Sequence, residues 1–275
     1  MTIKPDCVVC LLNQALKVTK LLKLDDQKSK EILDEVAKLL PNYDLTYTPP
    51  QIAKDEYAKI ASLTGLKDPL KEVKNNSTKI AKKIDFSFVK TLHDAVKVSV
   101  CGNVIDFGAQ MEFDVNEILR EKFHENFAID DFSKFERELK RAKKLVILGD
   151  NAGEHIFDKI LIEKIKELYD IEIYYFVRGA PIINDITMED AKDLEDSAIL
   201  IDSGVKTAGY DLKEANEKSK KIFYEADIVI SKGMGNFESL YGIAEREIYY
   251  LFVVKCSVVA SAINRNIKDI LFFKG

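Results

Sequence analysis

The chain has no tryptophan, only three histidines, four cysteines and six prolines in 275 residues. Each shortage removes a class of protein. Cys7, Cys10, Cys101 and Cys256 are too few and too unevenly spaced for a disulfide-stapled scaffold. His93, His124 and His155 show no zinc-ligand spacing with one another. No apolar run reaches the roughly eighteen residues of a membrane-spanning helix. The opening MTIKPDCVVC lacks the basic-then-apolar layout of a signal peptide, so the expected compartment is the cytoplasm. A basic block is missing too. The 46 acidic and 41 basic residues give a net charge of −5, spread along the chain, which argues against a nucleic-acid backbone as ligand.

What is present is a globular protein with a large core: 47% of the residues are hydrophobic and 32% charged. Its two halves have different periods. In the first, apolar residues recur at three- and four-residue spacing in CVVCLLNQALKVTKLL, QKSKEILDEVAKLL and PPQIAKDEYAKIASL. Thr48 before Pro49, and Asp68 before Pro69, read as caps followed by a proline in the first helical turn. In the second half, strand-length apolar runs at Leu145–Leu148, Ile171–Val177, Ala198–Ile201, Ile228–Ile230 and Tyr249–Val254 alternate with helical segments. The pattern predicts an α/β protein, with a helical domain over residues 1–128 and a Rossmann-like, parallel-sheet domain over 129–275.

Open parallel sheets bind ligands at the carboxyl ends of their strands. Here those ends carry Asp150 and Asn151; Arg178 and a loop with Asn184 and Asp185; Asp202; Lys232, Gly233, Gly235 and Asn236; and Lys255. Asp150, Asn151 and Asp185 offer only oxygen ligands, which suits a hard divalent cation. Gly153 leaves backbone room at a helix N-terminus, where an anion is favoured, and Lys232 with its glycines makes a second anion cradle. Arg178 reads equally well as an anion ligand or a surface ion pair, and His155 as a helix-surface residue. There is no Walker sequence, and no GxGxxG follows the first strand. Cys7 and Cys10 form a CxxC that is half a zinc site, a redox pair, or two cysteines on adjacent helical turns.

Taken in order, GDNAGEHIFD, RGAPIINDITMEDA, DSG and SKGMGNFESL, with CGNVIDFGA in the helical half and the N-terminal CxxC, resemble the metal-dependent damage-control phosphatases, in particular their compact prokaryotic branch. The resemblance implies a phosphoric monoester hydrolase acting on small phosphometabolites, some of them damaged or side products, with a divalent metal (Mn, Ni, Co or Mg). It implies Asp150, Asn151 and Asp185 as metal ligands and Lys232 as a phosphate ligand. Asn103 and Asp106 would line the cleft from the helical side, with Gly153, Arg178 and Asn236 on the phosphate. Cys101, where the family is expected to have a small residue, is a departure. Two other readings stand beside it: a methyltransferase-like group-transfer enzyme with a nucleoside cofactor held by Asp202, and a CxxC-based metal-binding or redox regulator.

Overall fold

The computed structural model describes residues 1–104 and 115–275. Six helices come first: α1 (Pro5–Leu21), α2 (Asp26–Leu39), α3 (Pro49–Thr64), α4 (Lys71–Ala81), α5 (Leu92–Val104) and α6 (Val115–His124). Then follow β1 (Ile129–Asp130), α7 (Phe132–Leu139), β2 (Lys144–Leu148), α8 (Glu154–Leu168), β3 (Glu172–Val177), β4 (Ile199–Asp202), α9 (Glu217–Glu225), β5 (Ile228–Lys232), α10 (Gly233–Leu240), β6 (Tyr249–Val253), α11 (Ser257–Ala262) and β7 (Ile270–Lys274).

Local chemistry accounts for the ends. At α3, Thr48 and Gln51 form a reciprocal capping box with Pro49 in the first turn, as expected. At Asp68 the expected cap does not form. Its carboxylate accepts from the Leu70 N–H and pairs with Lys74, and α4 begins at Lys71 without a side-chain cap. Helix α9 is shorter than the predicted Leu212–Ala226 segment, because Asn216 caps it by accepting from the Ser219 N–H.

The sheet runs β1-β7-β6-β5-β2-β3-β4, parallel throughout except between β6 and β7. Strands β1 and β7 escaped the sequence reading. The first is two residues long, and the second returns antiparallel beside β6 after the six-residue helix α11. The sheet is buried on both faces, and the strands alternate between them. Leu145 and Ile147 share a core with α5, α7 and α8. Val146 and Leu148 point the other way, into a core with α9, α10 and α11. Helices α1, α2 and α3 form their own cluster, which docks on Ile182 and Ala208 from the loops after β3 and β4. Chain order reverses between β2 and β5: from β2 the chain moves out through β3 to β4, then returns to β2's other side. That reversal opens a crevice at the carboxyl ends of β2 and β5.

Candidate active site

Three connections build this crevice. Leaving β2, the chain pairs with the loop after β3: the Ile186 N–H donates to the Asp150 carbonyl (2.8 Å) and the Ala152 N–H to the Asn184 carbonyl (2.9 Å). This sets Asn151 opposite Asp185 as a bridge between segments distant in sequence. Next, α8 starts at Gly153, whose φ of +91° and closeness to Ser77 (2.9 Å from a built Cβ) leave no room for a side chain. Last, the β5–α10 turn passes through Gly233 at φ +73°, where a Cβ would stand 2.0 Å from Asp150 Oδ2. A glycine there lets the backbone press against the carboxylate.

The floor of the crevice is acidic and buried. Asp150 Oδ2 accepts from Asn103 Nδ2 and Asn151 Nδ2, both at 2.8 Å. The same two amides reach Glu154 Oε2 at 3.1 and 3.3 Å. Glu154 Oε1 accepts from Lys232 Nζ at 2.7 Å, and Asp185 Oδ2 from Arg178 Nε at 2.7 Å. Burial, then the negative charges of Glu154 and Asp185, hold the Asp150 pKa well above the usual carboxylate range. Burial also raises Asp185, against the pull of Arg178. In all, Asp150, Glu154, Asp158 and Asp185 face only Lys232 and Arg178 among the buried charges here, an excess of two negative charges. One more buried atom, Asn103 Oδ1, has no hydrogen-bond partner among the described residues.

These groups meet a cleft of about 610 Å³. Asn103, Asp150, Asn151 and Asp185 line it together, as the sequence reading expected, and Glu154 joins them. Asp106 lies outside the described residues. The other proposed anion ligands stand elsewhere. Lys232 is wholly buried and spends its three N–H donors on Glu154, Asp158 (2.5 Å) and the Ser99 carbonyl (3.0 Å). Burial alone would lower its pKa, but Asp158 and Glu154 overcome that and raise it, so the ammonium is a fixed charge behind Glu154. The direct phosphate contact expected of Lys232 is not what this position provides. Asn236 serves the backbone, accepting from the Tyr210 N–H and donating to the Gly149 and Lys232 carbonyls. The Gly153 N–H donates to His155 Nδ1 (3.1 Å). Arg178 is a buried ion pair, not a surface one.

His155 also corrects the sequence reading. It is completely buried, with Nε2 3.6 Å from Asp193, and burial lowers its pKa to about 4, so it is a neutral buried ring. A helix wheel misses this because α4, through Ser77, covers what would otherwise be the open face of α8's first turn. Cys7 is buried and Cys10 exposed, both free thiols. Among the described residues no group of three or more His, Cys, Asp or Glu side chains is placed to hold a metal, so the CxxC finds no third ligand of these types. The crevice itself brings together two acids and an asparagine, Asp150, Asp185 and Asn151. Asp202 accepts from the Gly204 N–H (2.8 Å) and lies at the exposed far strand, away from the crevice.

A second network holds the Asp185 loop. Lys74 of α4, almost fully buried, pairs with Asp190 (2.7 Å) and Asp68 (2.7 Å), while Asp190 accepts from the Thr187 N–H and hydroxyl. Nothing in the sequence marks Lys74 among forty-one basic residues. Lys255, in contrast, was visible as a strand-end residue, and it does line the cleft.

Residues 3–271 match the family described as the damage-control phosphatase ARMT1-like domain. The chain is similar to a damage-control phosphatase of Pyrococcus horikoshii, 34% identical, with 94% of this chain and 93% of that protein covered. It is similar to a damage-control phosphatase of Archaeoglobus fulgidus, 31% identical over 98% of both. Among solved structures, a crystal structure of a DUF89 family protein from Pyrococcus horikoshii superposes with a TM-score of 0.91 at 30% identity, over 100% of this chain and 99% of that one.

Proposed function

This chain belongs to the ARMT1-like damage-control phosphatase family, and we propose that it is a metal-dependent hydrolase of small phosphomonoesters, among them damaged or side-product phosphometabolites. One observation carries the reading: Asp150, Asn151 and Asp185 are brought side by side at the sheet's reversal point, over a floor with two unbalanced negative charges. The residues fit a divalent cation, since they supply three side-chain oxygens, an acid excess matching its charge, and a spare acceptor in Asn103 Oδ1. Asp150, Asn151 and Asp185 would hold Mn, Ni, Co or Mg. When bound, the ion supplies Lewis-acid polarisation of the phosphoryl group and lowers the pKa of water.

The chain's own residues do the rest. Glu154 is the candidate general base, in the cleft and held by Lys232 on its far oxygen, so that Oε2 faces the reacting side. Asn103 orients both Asp150 and Glu154. Asp150 is taken up in ligation, so water is the nucleophile. Residues 1–128 supply Asn103 and one side of the cleft wall, and 129–275 the metal ligands, Glu154 and the other side. Free thiols at all four cysteines suit a reducing compartment, the cytoplasm.

The test is hydrolysis of an aryl phosphate by metal-stripped protein, with Mg²⁺, Mn²⁺, Co²⁺ or Ni²⁺ added in turn. Activity should require metal and fall by about 10³ or more in Asp150→Ala and Asp185→Ala. Calorimetric titration with Mn²⁺ should show both variants binding it at least about tenfold more weakly. Wild-type activity without metal, or variants that match wild type, would sink the proposal.

A further inference from the structure

We infer that the cleft holds a second anion subsite, with Lys268 as its principal residue, and hence that the substrate is a phosphomonoester whose leaving group bears a second anionic group, a carboxylate or phosphate. This rests on the phosphatase reading and names its substrate class.

Both buried cations at the floor hold acids, although Arg178 Nη2 has no hydrogen-bond partner among the described residues. Lys232 and Arg178 each hold carboxylates, and neither lines the cleft. With a divalent cation at Asp150 and Asp185 the floor is neutral, so an arriving phosphate must find its counter-charge higher up. Three lysines line the cleft there: Lys17 from α1, Lys255 just beyond β6, and Lys268 just before β7. The last two are brought together by backbone pairing that continues past the strands. The Val254 N–H donates to the Asp269 carbonyl (3.0 Å), and the Lys268 N–H returns to the Val254 carbonyl (2.8 Å). In a chain with more acids than bases, neither Lys255 nor Lys268 makes an ion pair among the described residues, and both are exposed.

The two lysines are not equivalent. The Lys255 N–H donates to Met234 Sδ (3.4 Å), on the same turn whose Gly233 presses against Asp150, which assigns Lys255 to the transferred phosphoryl group. Lys268 stands at the mouth beside Ile267, which is 51% exposed. Its backbone is left-handed, φ +78°, a conformation that an L side chain adopts at a cost and that glycine would adopt freely. Between floor and mouth the wall is mixed, with Leu11, Pro50, Ala53, Ile183 and Met234 apolar and Gln14, Asn184 and Glu238 polar. A phosphate fills only a small part of about 610 Å³. The remaining space, cationic at its end, fits a leaving group with a charged far end, which Lys268 would meet without giving up an ion pair among the described residues.

A matched pair of esters tests this: 6-phosphogluconate and glucitol 6-phosphate, which differ by a carboxylate in place of a hydroxymethyl group at the end away from the phosphate. Wild type should favour the carboxylate ester by about tenfold in kcat/KM, the size of one charge-assisted contact. In Lys268→Gln that preference should collapse through KM, and Lys268→Arg should restore it. In Lys255→Gln both esters should suffer alike. Calorimetric titration of the two esters onto metal-free protein gives a reading independent of turnover. If wild type shows no preference, or Lys268→Gln weakens both esters equally, the lysines serve a single phosphate and the subsite is overturned. If no ester is hydrolysed with any divalent cation while the binding preference persists and is lost in Lys268→Gln, the phosphatase reading fails and the subsite stands.

Discussion

The floor and the mouth of one cleft are built on opposite electrostatic terms. At the floor every cation is buried and paired, with Lys232 on Glu154 and Asp158 and Arg178 on Asp185. Above it, Lys255 and, at the mouth, Lys268 are exposed, without an ion pair among the described residues. The difference separates geometry from capture. A buried ion pair is expensive to desolvate and earns its place by fixing the orientation of an acid. An exposed lysine costs little to maintain and stays available to a ligand, at the expense of precision.

The comparison breaks most visibly at Lys232. Lys232→Met would leave Glu154 and Asp158 buried without a cation, and should destabilise the fold by about 3–5 kcal/mol in urea unfolding near neutral pH. Lys255→Gln, measured alongside, should stay within about 0.5 kcal/mol of wild type. A loss below about 1 kcal/mol in Lys232→Met would mean that the floor is far wetter than its packing indicates.

Glu56 sharpens the contrast, because it is a buried acid with neither kind of compensation. It is 1% exposed, its carboxyl oxygens make no well-formed hydrogen bond among the described residues, and the Ala15 backbone beside it offsets burial only in part. Burial pushes its pKa up to about 8 from 4.5. An acid raised in this way keeps its proton in the folded state while the unfolded chain releases it. Its contribution therefore turns unfavourable as pH rises from 4.5 towards about 8, then levels off. Glu56→Gln should remove that slope and raise the melting temperature at pH 8 more than at pH 5. The gain should be about 2 kcal/mol, the full linkage being an upper bound. Parallel pH profiles for the two proteins would show that Glu56 is ionised and solvated.

The smallest effect is at the mouth. Lys268→Gly should raise stability by about 0.5 kcal/mol, because relief of the left-handed backbone outweighs the added freedom of the unfolded chain. The same variant should lose the preference for the doubly anionic ester. A stability gain paired with a functional loss would mark Lys268 as a residue kept for binding; a stability loss would mean that the lysine is packed and not strained.

Much of this was legible in the residues themselves. The alternation of buried strands and helices after residue 143, and the oxygen-rich strand ends, follow from local pattern, since a strand covered on both faces must be apolar along its length. That rule placed Asp150, Asn151, Asp185 and Lys255 at one edge. Strand β1 was too short to carry a period, and β7, reached through the six-residue helix α11, turns back antiparallel to β6 instead of continuing the parallel alternation.

What the sequence determined alone was therefore the class of fold, the sheet edge at which the oxygen-bearing residues gather and their chemistry, because these depend on residues near one another in the chain. Only the tertiary structure decided which charges are used up. Lys232 stands at a strand end like Lys255, yet α5 and α8 close over it and present Ser99, Glu154 and Asp158 to its three donors, while Lys255 meets open cleft. Whether a lysine binds substrate or braces an acid depends on what covers it, and the covering residues come from helices more than seventy positions away in the sequence.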